Sequence, residues 1–370
     1  MKVRTIDWLL YLCSFLLTLF GIVVIYSITY GQEVTKNFAF YQLVFAGVGF
    51  VLLIGFSLLD YHLFRILAYP LYGLCLFLLL LVLFTPLGKA TYGATRWINL
   101  GFFQFQPSEL LKLIIIVALA RVSSQEELGL KQLLFSLALV LVPIVLVFQQ
   151  PDLGTALIIF IIGMGMIALA NYPKKYLFAL LVIVLLFFGL GSLSLFSVGP
   201  FKNILKPYQK ERLLVFLEPQ KDPFGAGYNV SQAMIAIGSG GFLGRGLGHG
   251  PQSQLNFIPS KHTDFIFAVA SEAFGFVGVS LLLAIFFVLC WRILKIAQKA
   301  RDDFGTLLGL GVFLYFFASF VINVGMNMGV LPATGVPLPF ISYGGTSLMT
   351  NLIAIGLCQS VMIRHKKIRF

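Results

Sequence analysis

Charge is what this sequence has least of. Of 370 residues, 11% are Asp, Glu, Lys or Arg, while 59% are apolar. A soluble domain of this length carries about a quarter charged residues to cover its surface. A water-facing surface is therefore excluded for most of the chain, and a mean hydropathy of +0.95 agrees. Cysteine is scarce as well. Cys13, Cys75, Cys290 and Cys358 all fall inside apolar runs, with no CxxC or ligand spacing. They read as small buried hydrophobes, which excludes a disulfide framework and a cysteine metal site. Acidic residues number 14 against 26 basic ones, a net charge of +12. That surplus does not indicate a nucleic-acid partner, because the basic residues form short clusters between apolar runs, where membrane topology places them. No internal repeat is visible. No small-residue cleavage site follows the first apolar run, 8–28, which is too long for a signal-peptide core, so that run reads as an uncleaved span behind Lys2 and Arg4.

What is present is a series of long apolar runs. A bilayer-crossing helix needs about 20 apolar residues. Runs at 8–28, 41–59, 63–84, 130–148, 153–170, 176–198, 265–291, 305–329 and 342–363 meet that need. A shorter run, 107–121, starts with Pro107 at a suitable first helical position. The expected fold class is all-α: a polytopic integral membrane protein of about ten transmembrane helices, in one domain over 1–370, with one long extracytoplasmic loop over about 199–264. Lys2, Arg4, Arg65, Arg121, Lys131, Lys174, Lys175, Arg292, Lys295, Lys299, Arg301, Arg364, Lys366, Lys367 and Arg369 share one face, against Lys36, Lys89 and Arg96 in the short connections of the other. Both termini are expected to be cytoplasmic. The long loop is basic too, yet long loops translocate regardless of charge.

Polar residues at the edges of these spans carry the functional signal. Asp264 stands where the long loop becomes an apolar span. It reads either as a helix cap or as a carboxylate facing a cavity, able to act as general base. Glu109 and Lys112, three apart on a membrane helix, share a face and can pair. That pair is either a structural tie or part of a site. Asp152 opens the sixth span near the same level, as a cap or as a third member of this network. The glycine run at 238–250 is not a dinucleotide loop, because no βαβ unit surrounds it. Close backbone packing, or a lipid-phosphate contact through Arg245, fits it better. Pro332, Pro337 and Pro339 break the helical pattern before the last span. Broken backbone at membrane depth is tolerated where it is buried in protein or lines a cavity. Read alone, these residues describe a multi-span protein with a polar cavity opening outward, either an enzyme or a transporter.

Taken together, the segments ATRWINLG with FQPSELLK, QQPDLGTA, DPFGAGYNVSQAMIAIGSGGFLGRGLGHGPQSQLNFIP, HTDFIFA and GVPLPFISYGGTS resemble the family of shape, elongation, division and sporulation (SEDS) proteins. They run in family order across nearly the whole chain. The wording GPQSQLNFIPSKHTDF and the short termini are closer to the elongation branch than to the division branch. The resemblance implies a peptidoglycan glycosyltransferase that polymerises lipid II into β-1,4 glycan strands with inversion, in the bacterial cytoplasmic membrane. A lipid II flippase and a division-type paralogue are the competing readings. A class B penicillin-binding protein and other elongation-complex membrane proteins are the implied partners. No cofactor is required by the motifs, although a divalent cation, Mg or Mn, is compatible with a pyrophosphate leaving group. Asp264 matches the family's essential aspartate, Glu109 and Lys112 its ion pair, and Asp152 its QPDLGT aspartate. Arg96, Arg212, Lys261, His262 and Ser342 fall in family motifs as supporting residues, with Arg245 as a further phosphate contact. The family often carries two glutamates after HTDFIFA. Here Glu272 alone is present, followed by Ala273.

Overall fold

Helices occupy all ten apolar runs, as a hydrocarbon setting requires of a backbone that must satisfy its own polar groups. The computed structural model describes residues 6–29, 37–85, 88–91, 94–99, 101, 104–195, 207–218, 222 and 225–365. On the ten runs lie α1 (Trp8–Thr29), α2 (Phe38–Leu58), α3 (Tyr61–Phe84), α4 (Pro107–Ser123), α5 (Leu130–Gln149), α6 (Leu153–Leu169), α7 (Lys174–Leu195), α11 (Ile266–Lys299), α12 (Asp303–Asn327) and α13 (Gly345–Ile363). Seven of these, α1, α2, α3, α5, α11, α12 and α13, are long and apolar enough to cross a membrane. The chain is a multi-pass, helical membrane protein. α4 has 17 residues, about 25 Å at 1.5 Å per residue. It is buried on every side from Leu111 to Ala120, as a helix apolar all round from Leu113 onward should be at the centre of a bundle.

Two features lay outside the sequence expectation. First, the connection from α3 to α4 folds as a small antiparallel sheet in the order β1 (Gly88–Thr91), β2 (Ala94–Asn99), β3 (Gln104–Phe105). The strands are too short for their alternation to register as a pattern. Second, the described parts of the long loop are largely helical: α8 (Pro207–Leu217), α9 (Ala226–Ser239) and α10 (Pro251–Gln254). Within α9, Ala233 and Ala236 pack with Ile258, Phe265 and Ala268 in a small separate core, which seats the loop on the start of α11. Lys202, Lys206 and Lys221 lie outside the described residues.

The glycine run acts as a brace for α11. Gly275 has φ +62° and ψ −165°, a conformation that L side chains essentially do not adopt, and it kinks the helix. The loop fills the break with backbone. Arg245 and Gly246 N–H donate to the Glu272 and Ala273 carbonyls, while Phe276 and Val277 N–H donate to the Gly241 and Phe242 carbonyls. A side chain at Gly275 would meet the Gly244 nitrogen at 2.2 Å, and one at Gly240 would meet the Ser271 carbonyl at 2.1 Å. Glu272, fully buried, accepts from Gln252 N–H at 2.9 Å and Ser253 N–H at 3.0 Å, capping the first turn of α10 from inside α11.

The proline-rich stretch between α12 and α13 is non-helical, and its Val336, Leu338, Phe340 and Ile341 are buried. Gln42 of α2, also buried, donates to the Ser342 carbonyl and accepts from Gly344 N–H, each at 3.2 Å. Irregular backbone is thus paired by a side-chain amide from a neighbouring span. At the opposite end of the bundle, His62 bridges Asp60 at 2.8 Å and Asp302 at 2.7 Å. There Arg292 also pairs with Asp7.

Candidate active site

The starts of α2, α4, α6, α11 and α13 converge on one cavity of about 710 Å³, roofed by the β2–β3 sheet and by the 334–337 segment. Asp264, Asp152, Glu109, Arg96, Arg212 and His262 all line it. They come from segments far apart in sequence, so the bundle assembles them. Below the cavity, α4 is buried and apolar from Leu113 to Ala120.

Asp264 sits in a turn just ahead of α11. Its carboxylate is near enough to Gly335 that a Cβ there would stand 3.4 Å from Oδ2. Gly335 has φ +75°, where glycine avoids the strain of a side chain. Burial pushes the Asp264 carboxyl up to about 6, and the Asp152 charge adds to that. Arg212, Arg96 and a hydrogen bond from Thr263 pull it back down. The group is ionised at neutral pH yet more basic than an ordinary aspartate, which suits a general base.

Asp152 caps α6. Its Oδ1 accepts from Thr155 N–H and its Oδ2 from the Thr155 hydroxyl, both at 3.0 Å, with Arg96 Nη1 at 3.6 Å. Arg96, carried on β2, grips the corner before α6: Nε donates to the Gln150 carbonyl at 3.0 Å and Nη2 to that of Pro151. Arg212 Nη1 donates to the Ala333 and Thr334 carbonyls at 3.2 and 3.3 Å. The two guanidiniums therefore flank the carboxylates from opposite connections. Glu109 and Lys112 form a buried ion pair at 2.7 Å, with Lys112 Nζ 5.2 Å from the Tyr315 ring centre. Glu109 Oε2 is buried and makes no hydrogen bond among the described residues, which leaves an acceptor beside the cavity. His262 stands in an aromatic wall, 5.1 Å from Phe38 and 5.9 Å from Tyr343 between ring centres. Burial and the Lys261 charge lower its pKa, so it is neutral at pH 7.

Four of the sequence candidates do not line the cavity: Lys112, paired with Glu109, and three that are held elsewhere. Arg245 is held by the glycine loop, its Nε donating to the Ser239 carbonyl at 2.9 Å, away from the cavity wall. Lys261 turns into its own loop, to the Ser253 carbonyl at 2.8 Å and Asn256 Oδ1 at 2.7 Å. Ser342 is a backbone tie: its hydroxyl donates to the Thr263 carbonyl at 2.6 Å and accepts from Leu338 N–H at 2.8 Å. The motif reading passed over Asn323, Asn327 and Gln42, all fully buried. Their signal was available as carboxamides inside apolar spans, where an unpaired polar group is costly. Among the described residues no three His, Cys, Asp or Glu side chains converge to hold a metal ion. A divalent cation here would draw most of its ligands from a bound phosphate and water, and the chain's own donors form no cage for one.

Known proteins resemble this chain along nearly its whole length. The family model described as cell cycle protein, covering FtsW, RodA and SpoVE, matches residues 7–367. The peptidoglycan glycosyltransferase RodA of Treponema pallidum is 35% identical over 99% of this chain and all of its own length. The peptidoglycan glycosyltransferase MrdB of Escherichia coli is 38% identical over 80% of this chain and 78% of its own. A chain of a solved peptidoglycan synthase complex, which structurally coordinates polymerization and crosslinking, superposes with a TM-score of 0.82 at 31% identity, covering 98% of both chains. Thermus thermophilus RodA superposes with a TM-score of 0.71 at 28% identity, again over 98% of both. With a family model spanning nearly every residue and relatives matched along their own length, the chain belongs to the FtsW/RodA/SpoVE family and is RodA-like within it.

Proposed function

We propose that this protein is a peptidoglycan glycosyltransferase of the RodA kind, polymerising lipid II for cell elongation, with Asp264 as its general base. The observation that carries the reading is a partly buried carboxylate with a raised pKa facing the same cavity as two guanidiniums. Asp264 takes the proton from the acceptor sugar 4-hydroxyl, and that oxygen attacks the donor's anomeric carbon. The bond from that carbon to the pyrophosphate oxygen breaks, the pyrophosphate leaves with the electron pair, and the new linkage is inverted to β-1,4. Arg96 and Arg212 supply the positive field for the departing charge, an arrangement worth most in a water-poor site. No acid is needed on the leaving side, because pyrophosphate departs as a stable anion.

Arg65, Arg121, Lys131, Lys174, Lys175, Lys299 and Arg301 gather at the helix ends opposite the cavity, which supports placing that end on the cytoplasmic side of the bacterial cytoplasmic membrane. Both termini are then cytoplasmic and the cavity opens outward, where lipid-linked disaccharide is presented. Enzyme rather than flippase is favoured by the apolar, closed floor along α4, since a transporter needs polar groups through the membrane depth. A class B penicillin-binding protein is the proposed crosslinking partner.

The test is polymerisation of labelled lipid II by the purified full-length protein, with and without that partner. Asp264→Asn is expected to lower the rate by about 10²–10⁴-fold while partner binding persists. Near-normal glycan synthesis by that variant would refute the assignment.

A further inference from the structure

The backbone around Asp264 is held in a way that an ordinary helix start does not call for. Were α11 to begin one residue earlier, with Asp264 as its N-cap, Ala268 N–H would donate to the Asp264 carbonyl four residues back. It donates instead to Asn327 Oδ1, at 3.2 Å. The Asp264 carbonyl in turn accepts from Asn327 Nδ2 at 3.0 Å and from Asn323 Nδ2 at 2.9 Å. One side-chain amide from the end of α12 therefore stands between a donor and an acceptor that would otherwise pair with each other. Asn323, one turn earlier, also donates to the Val336 carbonyl at 2.7 Å. It thereby ties the Asp264 backbone to the segment whose Gly335 faces the carboxylate.

We propose that Asn327, backed by Asn323, is the positioning residue for the general base. Its carboxamide is wedged into the hydrogen-bond ladder of α11, holds 261–265 as a turn, and so aims the Asp264 side chain into the cavity. Each helical residue rotates by about 100° around the axis, so drawing Phe265 into α11 and Asp264 in as its N-cap would turn the carboxylate from its place on the cavity wall. This inference rests on Asp264 being the base, as proposed above.

The geometry gives the wedge an unusual signature. In Asn327→Ala the Asp264 carbonyl and Ala268 N–H are released to bond directly, and Asn323 still serves the second lone pair of that carbonyl. No buried backbone group is orphaned, although Asn323 Oδ1 loses the Asn327 amide at 3.4 Å, so the loss of stability is small beside the loss of turnover as the base turns away. A merely structural amide behaves oppositely, because its removal strands its partners.

The experiment compares the full-length protein, Asn327→Ala, Asn327→Asp and Asp264→Asn for lipid II polymerisation, KM and thermal unfolding. Asn327→Ala should lose about 10–100-fold in kcat, the usual scale for a misplaced catalytic group, with KM within about twofold and a fall in melting temperature no larger than that of Asn327→Asp. Asn327→Asp can accept from Ala268 N–H but cannot donate to the Asp264 carbonyl, and it should also lose turnover. Turnover within about twofold in Asn327→Ala, a loss that tracks a fall in melting temperature, or failure of that variant to fold would overturn the positioning role. An active Asp264→Asn protein would instead remove the general-base reading itself, whereas an inactive one beside an active Asn327→Ala protein sinks only the wedge.

Discussion

At the scale of single residues, the proposed chemistry turns on how one carboxylate is surrounded. Burial and the neighbouring Asp152 raise the Asp264 carboxyl to about 6, and a general base works only when deprotonated. Activity should therefore be flat above about pH 7 and fall as pH drops through 6, losing about tenfold by pH 5. A rate profile of glycan synthesis from pH 4.5 to 8.5 checks this, and a profile still flat at pH 5 would remove Asp264 from the rate equation. Asp264, Asp152 and the Glu109–Lys112 pair were all legible in the sequence, because charged residues at span edges are conspicuous against an apolar background. The Glu109–Lys112 pairing and the Asp152 cap on α6 were among the readings offered, whereas the place of Lys112 over the Tyr315 ring was not. Arg245, Lys261 and Ser342 share motifs with cavity residues yet are spent on backbone carbonyls. A linear motif does not show which way a side chain turns.

At the scale of elements, the helices were readable and their interruptions were not. Ten apolar runs mark ten helices, since hydrophobic length alone decides them. The three strands between α3 and α4 left no comparable trace, and neither did the kink inside α11, which looks from sequence like any small residue in a span. Gly275 and Gly47 are indistinguishable as letters. In the structure, a Cβ on Gly47 meets nothing within 4 Å, whereas one on Gly275 collides with the Gly244 and Leu243 backbone. Gly275→Ala should therefore cost more than about 3 kcal/mol from strain and overlap combined, and Gly47→Ala close to nothing. Thermal unfolding in detergent, with folded yield by size exclusion, separates them. Equal behaviour of the two variants would contradict the kink.

Across the whole molecule, two ends do different work. The cavity end is assembled from five helix starts, and the opposite end is fastened by ion pairs. There Asp302 caps α12 by accepting from Gly305 N–H at 2.8 Å, takes the Tyr61 hydroxyl at 3.2 Å, and meets His62. Losing these partners should cost about 1–3 kcal/mol. Asp302→Ala is accordingly expected to melt earlier while polymerising lipid II at a rate within about twofold of the unchanged protein. A large loss of turnover without a loss of stability would show that the two ends are coupled.

The capping of α10 by Glu272 has a consequence for how the chain is made. Residues 241–253 leave the ribosome before the carboxylate and carbonyls of 272–273 that they lean on, and synthesis runs from the N-terminus. The glycine stretch takes its backbone partners from residues 272–277, so it has to wait unsettled until the first half of α11 has followed it. This stretch thus sets only on a helix that is already in place.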